Sequence, residues 1–212
     1  MQSSENLMRE LNRALGDIVE IRTQIAAGTA FRGYGPTTVA ITGIMGFATA
    51  TLQSLWPDIF AYNVQAFVIS WIVTGGICAV AVCIEMRGRS RRLHSYLANT
   101  MIKQALEQFL PAAAASLFVP LFFLRFSPQS IWMMPGLWQL FVSLGIFASI
   151  RTLPRRIALG GIWYFLSGFA SLLLANTSHD LSPWLMGIPF FVGQLLMATI
   201  LFFSVERANE EE

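Results

Sequence analysis

Few side chains in this 212-residue chain are placed to do chemistry. It has two histidines: His94 in a basic stretch, and His179 next to Asp180. A His beside a carboxylate can serve as a general base or a metal ligand, but immediate neighbours in sequence rarely converge on one ligand, so this pair reads as solvated loop. Cys78 and Cys83 fall in one apolar stretch, in its cytoplasmic half, where no disulfide is expected, and no further cysteine is available to a metal site. No HExxH, Walker A, nucleophile-elbow or CxxC motif occurs. The expectation is therefore no catalytic residue, no cofactor, no metal and no enzyme.

Amides and phenols within the apolar stretches are the better candidates. Gln194 lies near the centre of the last stretch, where an unpaired amide would cost several kcal/mol. It must face another helix or a wet cavity. At about 1.5 Å per residue, Tyr164 and Gln194 come to similar depths, so the two can hydrogen-bond. Such a pair is either a polar tie between adjacent helices or a ligand contact.

The elements that hold these residues follow from composition. Apolar residues make up 55% of the chain and charged residues 12%, about half the charged fraction of a soluble domain. Six apolar stretches account for this, each near the ~20 residues needed to cross a bilayer. They run from about 37–56, 64–84, 109–126, 135–150, 157–176 and 183–205, and the fourth has Ile131 as an alternative start. With both termini inside, thirteen of the fourteen Lys and Arg fall on the cytoplasmic side, and Arg125 alone lies outside. Such sorting is what the positive-inside rule demands. A net charge of +2 gives no ground for nucleic-acid binding, since the arginines already serve topology. No Asp, Glu, Lys or Arg lies inside the spans, with Arg125 snorkelling at the outer end of the third. This disfavours a proton-coupled pump and leaves passive permeases and channels open.

Residues 1–30 form a separate polar segment without the apolar core of a cleavable signal, so the first span is expected to act as its own insertion signal. Within it, 4–27 reads as an amphipathic helix capped by Ser4. Leu7, Leu11, Ala14, Ile18, Ile21 and Ile25 step by four and three, an a/d seam of about two and a half heptads. The seam suits a second copy of the chain; the plainer alternative is packing beneath its own bundle or on the lipid surface. Gly28, Gly33, Gly35 and Pro36 separate this helix from the bundle of 31–205, and 206–212 is a charged cytoplasmic tail.

Arg87, Arg89, Arg91 and Arg92 close the second span as a topological anchor. Leu93, Tyr96, Leu97, Met101 and Ala105 then form a stripe expected to be an interfacial helix running into span three. Pro111 falls near the start of that span, while Pro120 removes an interior hydrogen bond and predicts a kink. Thr42 with Gly46 and Ala50, Ala112 with Ser116, and Gly145 with Ser149 predict close helix packing. Trp132 and Trp184 fit an interfacial belt.

Three stretches, IRTQIAAGTAFRGYGP, LPRRIALGGIWYFLSG and LSPWLMGIPFFVGQLLMATILFF, resemble a family of uncharacterised bacterial six-span inner-membrane proteins in which a short cytoplasmic helix precedes the bundle. The resemblance carries no catalytic residue to any position. A loose association of such proteins with winged-helix regulators favours signalling.

The fold expected is all-α and polytopic, six transmembrane helices with an N-terminal cytoplasmic amphipathic helix, in the inner membrane with both termini cytoplasmic. The function expected is sensory, regulatory or scaffolding, acting through the N-terminal helix on a second copy or a cytoplasmic protein. The alternative is a small-solute permease or channel built around Gln194 and Tyr164.

Overall fold

The computed structural model describes residues 35–60, 63–93, 96–150 and 155–210. The segment expected to carry the N-terminal helix, with its seam from Leu7 to Ile25, lies outside them, as does His94. Among the described residues every regular element is helical, and six helices are long and apolar enough to cross a membrane.

Helix α1, Pro36–Leu55, begins where the fixed φ and missing N–H of Pro36 suit a first turn. It stops before Pro57, with the Trp56 amide bonded back to the Leu52 carbonyl. A single turn, Pro57–Phe60, leads towards α2, Val64–Leu93, where the Ala66 amide donates to Asn63 Oδ1 at 3.0 Å as an N-cap bond. Helix α3 runs unbroken from Tyr96 to Phe126. Because the stripe from Tyr96 onward and the third span are one helix, while Leu93 closes α2, Pro111 lies in the interior of α3. A 3-10 segment, Pro128–Met133, enters α4, Met134–Ala148. Together they make a crossing from Pro128 to Ala148, the 3-10 turns adding about 2 Å of rise per residue. Helix α5 is Ala158–Ser178, and α6 is Trp184–Glu210.

Neighbours in sequence are neighbours in space, and the last helix closes onto the first. The most extensive contacts join α1 to α6 and α4 to α5, while α4 also touches α3 and α6. Close approach rests on small residues. A Cβ on Gly187 would overlap the Ala50 methyl, and one on Gly43 would sit 2.8 Å from Gln194 Cβ. Between α4 and α5, a Cβ on Gly136 would stand 2.7 Å from the Gly168 carbonyl oxygen.

Two apolar clusters fill the interior. Ala50, Phe67, Val68, Trp71, Ile131, Met134, Trp138 and Met186 pack at the end that bears the α1–α2, α3–α4 and α5–α6 turns. Val39, Ile146, Ile157, Tyr164, Ala198 and Leu201 pack towards the other end. The outside is as apolar as the inside: Leu55, Ile84, Phe126 and Leu173 are each at least 65% exposed. Water tolerates no such continuous apolar exterior, whereas lipid does.

Candidate functional site

Tyr164 and Gln194 come together at the α5–α6 contact. Tyr164 is fully buried, its ring against Phe190 with centroids 5.2 Å apart. Its hydroxyl donates to the Phe190 carbonyl at 3.4 Å, and the Gln194 side chain reaches the same hydroxyl. The backbone at Gly193 allows this approach, since a Cβ there would lie 2.6 Å from the tyrosine oxygen. Gln194 itself is only partly buried and also lines the α1 contact through Gly43. Beside the pair, the Trp163 indole donates to the Pro189 carbonyl at 2.9 Å. Tyr164 belongs to the second apolar cluster, with Val39, Ile146, Ile157, Ala198 and Leu201.

Two other glutamines are more deeply buried, and the sequence does not single them out. Gln53 ties α1 to α2: its Nε2 donates to Ser70 Oγ at 2.6 Å and lies 3.3 Å from the Phe67 carbonyl. Its Oε1 accepts the Trp71 indole N–H at 3.0 Å. One helical turn away, the Thr49 and Thr74 hydroxyls meet at 2.8 Å.

Gln139 does the same work for α4, α5 and α6. Its Nε2 stands 2.9 Å from the Pro135 carbonyl, 2.8 Å from the Leu185 carbonyl and 3.0 Å from Ser171 Oγ. Two amide hydrogens serve the two carbonyls, and Ser171 in turn donates to Leu185 at 3.2 Å. Ser143, one turn further along α4, donates to the Gly161 carbonyl at 2.8 Å. The Gln139 oxygen is left over, buried and without a partner among the described residues.

Proline bookkeeping is a sequence signal for the carbonyls that Gln139 and Trp138 serve, though not for Gln53. A proline within a helix leaves the carbonyl four residues earlier without its usual donor. Pro189 does this to Leu185, which Gln139 and Ser171 cap. Pro120 does it to Ser116, whose carbonyl accepts the Trp138 indole N–H at 2.7 Å.

His179 is exposed, as a loop residue would be, but it is also structured. It takes the left-handed conformation, φ 57°, at the C-cap of α5. Its ring meets Trp132 edge-on at 4.6 Å. Among the described residues no group of three or more His, Cys, Asp or Glu side chains gathers. The buried set can donate and accept hydrogen bonds between helices, and its chemistry is that of polar ties. Comparison with protein-family models, with curated proteins and with solved structures finds no significant match.

Proposed function

We propose that the chain is a multi-pass protein of a bacterial inner membrane, with both termini in the cytoplasm. It acts without catalysis, as a sensor, regulator or scaffold, through its N-terminal helix on a second copy of itself or a cytoplasmic protein. The observation that carries this is how the interior is used. Gln53, Gln139, Ser143, Ser171 and Tyr164 are engaged in bonds between helices, and between them the space is packed with aromatic and aliphatic side chains. Such a body supports a role in holding or relaying shape more than one in passing solute. The seam of Leu7, Leu11, Ala14, Ile18, Ile21 and Ile25 supplies the surface through which shape would be communicated, since an a/d stripe is built to meet another helix.

Co-expression of two differently tagged copies tests this. Deleting residues 1–27 should abolish co-purification of one copy with the other, and of any cytoplasmic partner that the full chain retains, while membrane insertion persists. Undiminished capture by the truncated chain defeats the proposal. The permease alternative has one observation in its favour, the unpartnered Gln139 oxygen in the packed interior. Flux of small neutral solutes through proteoliposomes that is lost in Gln139→Leu would place it first.

A further inference from the structure

Helices α2 and α3 share one apolar cluster and then part. Phe67, Val68 and Trp71 of α2 belong to the first cluster and Val119 and Phe123 of α3 pack against it, but among the described residues neither helix contributes to the second. Towards that other end α2 leans on α1, with Cys78 Sγ 4.0 Å from the Thr42 carbonyl. There α3 leans on α4, where a Cβ on Gly145 would overlap the Phe109 ring. The two helices have different supports, and a gap opens between them.

The gap shows on α2 as an interrupted seam. Val68, Ile72, Gly75, Ala79, Val82 and Met86 step by four and three along one face of the helix. Val68 and Met86, at its ends, are 0% and 3% exposed, yet Gly75 and Ala79 in the middle are exposed. A Cβ on Gly75 would meet no neighbouring group within 4 Å. Small residues on a membrane helix ordinarily let another helix come close, as Gly43, Gly136 and Gly187 do here. Gly75 faces open space instead. About two turns on from the shared cluster, antiparallel order brings the half-buried Ala112 and Ser116 of α3 to the level of Gly75 and Ala79. One turn further, Gln108 has its side-chain oxygen buried without a partner among the described residues. Just past Met86 stands the exposed Arg87, and Arg89, Arg91 and Arg92 follow in the same helix. Along its length the gap passes from small and apolar to polar to basic, the order in which a phospholipid presents tail, ester and phosphate.

We propose that this window between α2 and α3 holds one acyl chain of an anionic phospholipid. The phosphate is drawn to the arginines beyond Met86, since basic residues clustered at the end of a span favour anionic headgroups, and the hydrated ester region meets the Gln108 oxygen. The site opens sideways to the bilayer, so it requires neither the signalling role nor the orientation proposed above.

Native mass spectrometry of the full chain in detergent, supplied with phosphatidylglycerol or phosphatidylcholine of identical chains, tests the assignment. One phosphatidylglycerol should stay bound in preference to phosphatidylcholine. Gly75→Leu and Ala79→Leu, made separately, fill the open space and should each abolish that retention. Val80→Phe adds bulk at an exposed position about 140° round the helix from Gly75, and should leave it intact. Arg87→Gln should lower the preference for phosphatidylglycerol about fivefold. Equal retention of the two lipids, retention that survives both window variants, an equal loss in Val80→Phe, or a preference unchanged in Arg87→Gln overturns the proposal. So does a dimer of the full chain that Gly75→Leu converts to monomer, which would give the window to a second copy.

Discussion

At the residue scale, the buried amides differ in how completely they are engaged. Gln53 is 2% exposed and uses both ends of its amide, accepting from Trp71 and donating to Ser70. Gln53→Leu would leave the Trp71 indole N–H buried without an acceptor, which costs about 1–3 kcal/mol. Gln194, partly buried and set against the Tyr164 hydroxyl, should cost less than about 1 kcal/mol as Leu, the usual range for polar ties between membrane helices. Unfolding of the purified variants in detergent should rank them in that order, and equal losses would show that Gln53 is not the tie its geometry describes. Depth along a span can be read from sequence, and it suffices to bring Gln194 and Tyr164 to one level. It says nothing about which face of the helix an amide occupies. Gln53 finds its partners across a turn, and Gln139 finds one on α5 and another on α6, so their roles depend on rotations and neighbours that spacing alone does not supply.

At the scale of elements, α1 and α6 show how far a pattern reaches. The stripe of Thr42, Gly46 and Ala50 marks a packing face in the sequence, and all three are buried. Its partner could not be read, because helices one and six are the most distant in the chain and only closure of the bundle joins them. The contact is tight enough to test. A methyl at position 187 would overlap Ala50 Cβ, an atom fixed to its backbone that cannot swing aside. Gly187→Ala should therefore destabilise by about 1–3 kcal/mol, the usual cost of overpacking. Ala50→Gly should recover much of that loss in the double variant, because it empties the same space. Additive losses would mean that the helices do not meet at these two residues.

For the whole molecule, composition was the most legible property. Six apolar stretches in a chain with 12% charged residues already require helices, since helices satisfy their own backbone in lipid. Finer boundaries depended on how prolines are tolerated: α3 runs through Pro111 and so joins the stripe from Tyr96 to the third span, and the fourth crossing gains a 3-10 entry ahead of Pro135, which falls in the first turn of α4. Orientation rests on charge and has a geometric consequence. Helix α2 has 30 residues, about 45 Å at 1.5 Å each, well beyond the ~30 Å of hydrocarbon. One end must emerge from the bilayer, and Arg87 lies in the C-terminal part of the helix. Arginine near a span resists translocation, so the proposed orientation keeps that end in the cytoplasm and, by antiparallel order, predicts the α5–α6 turn with Asp180 on the opposite face. In a background carrying Cys78→Ser and Cys83→Ser, a membrane-impermeant maleimide applied to intact cells should label Asp180→Cys and spare Gly88→Cys, both positions being exposed. Permeabilised cells should label both. Labelling of Gly88→Cys alone in intact cells would invert the bundle, and the proposed N-terminal helix could then not act in the cytoplasm.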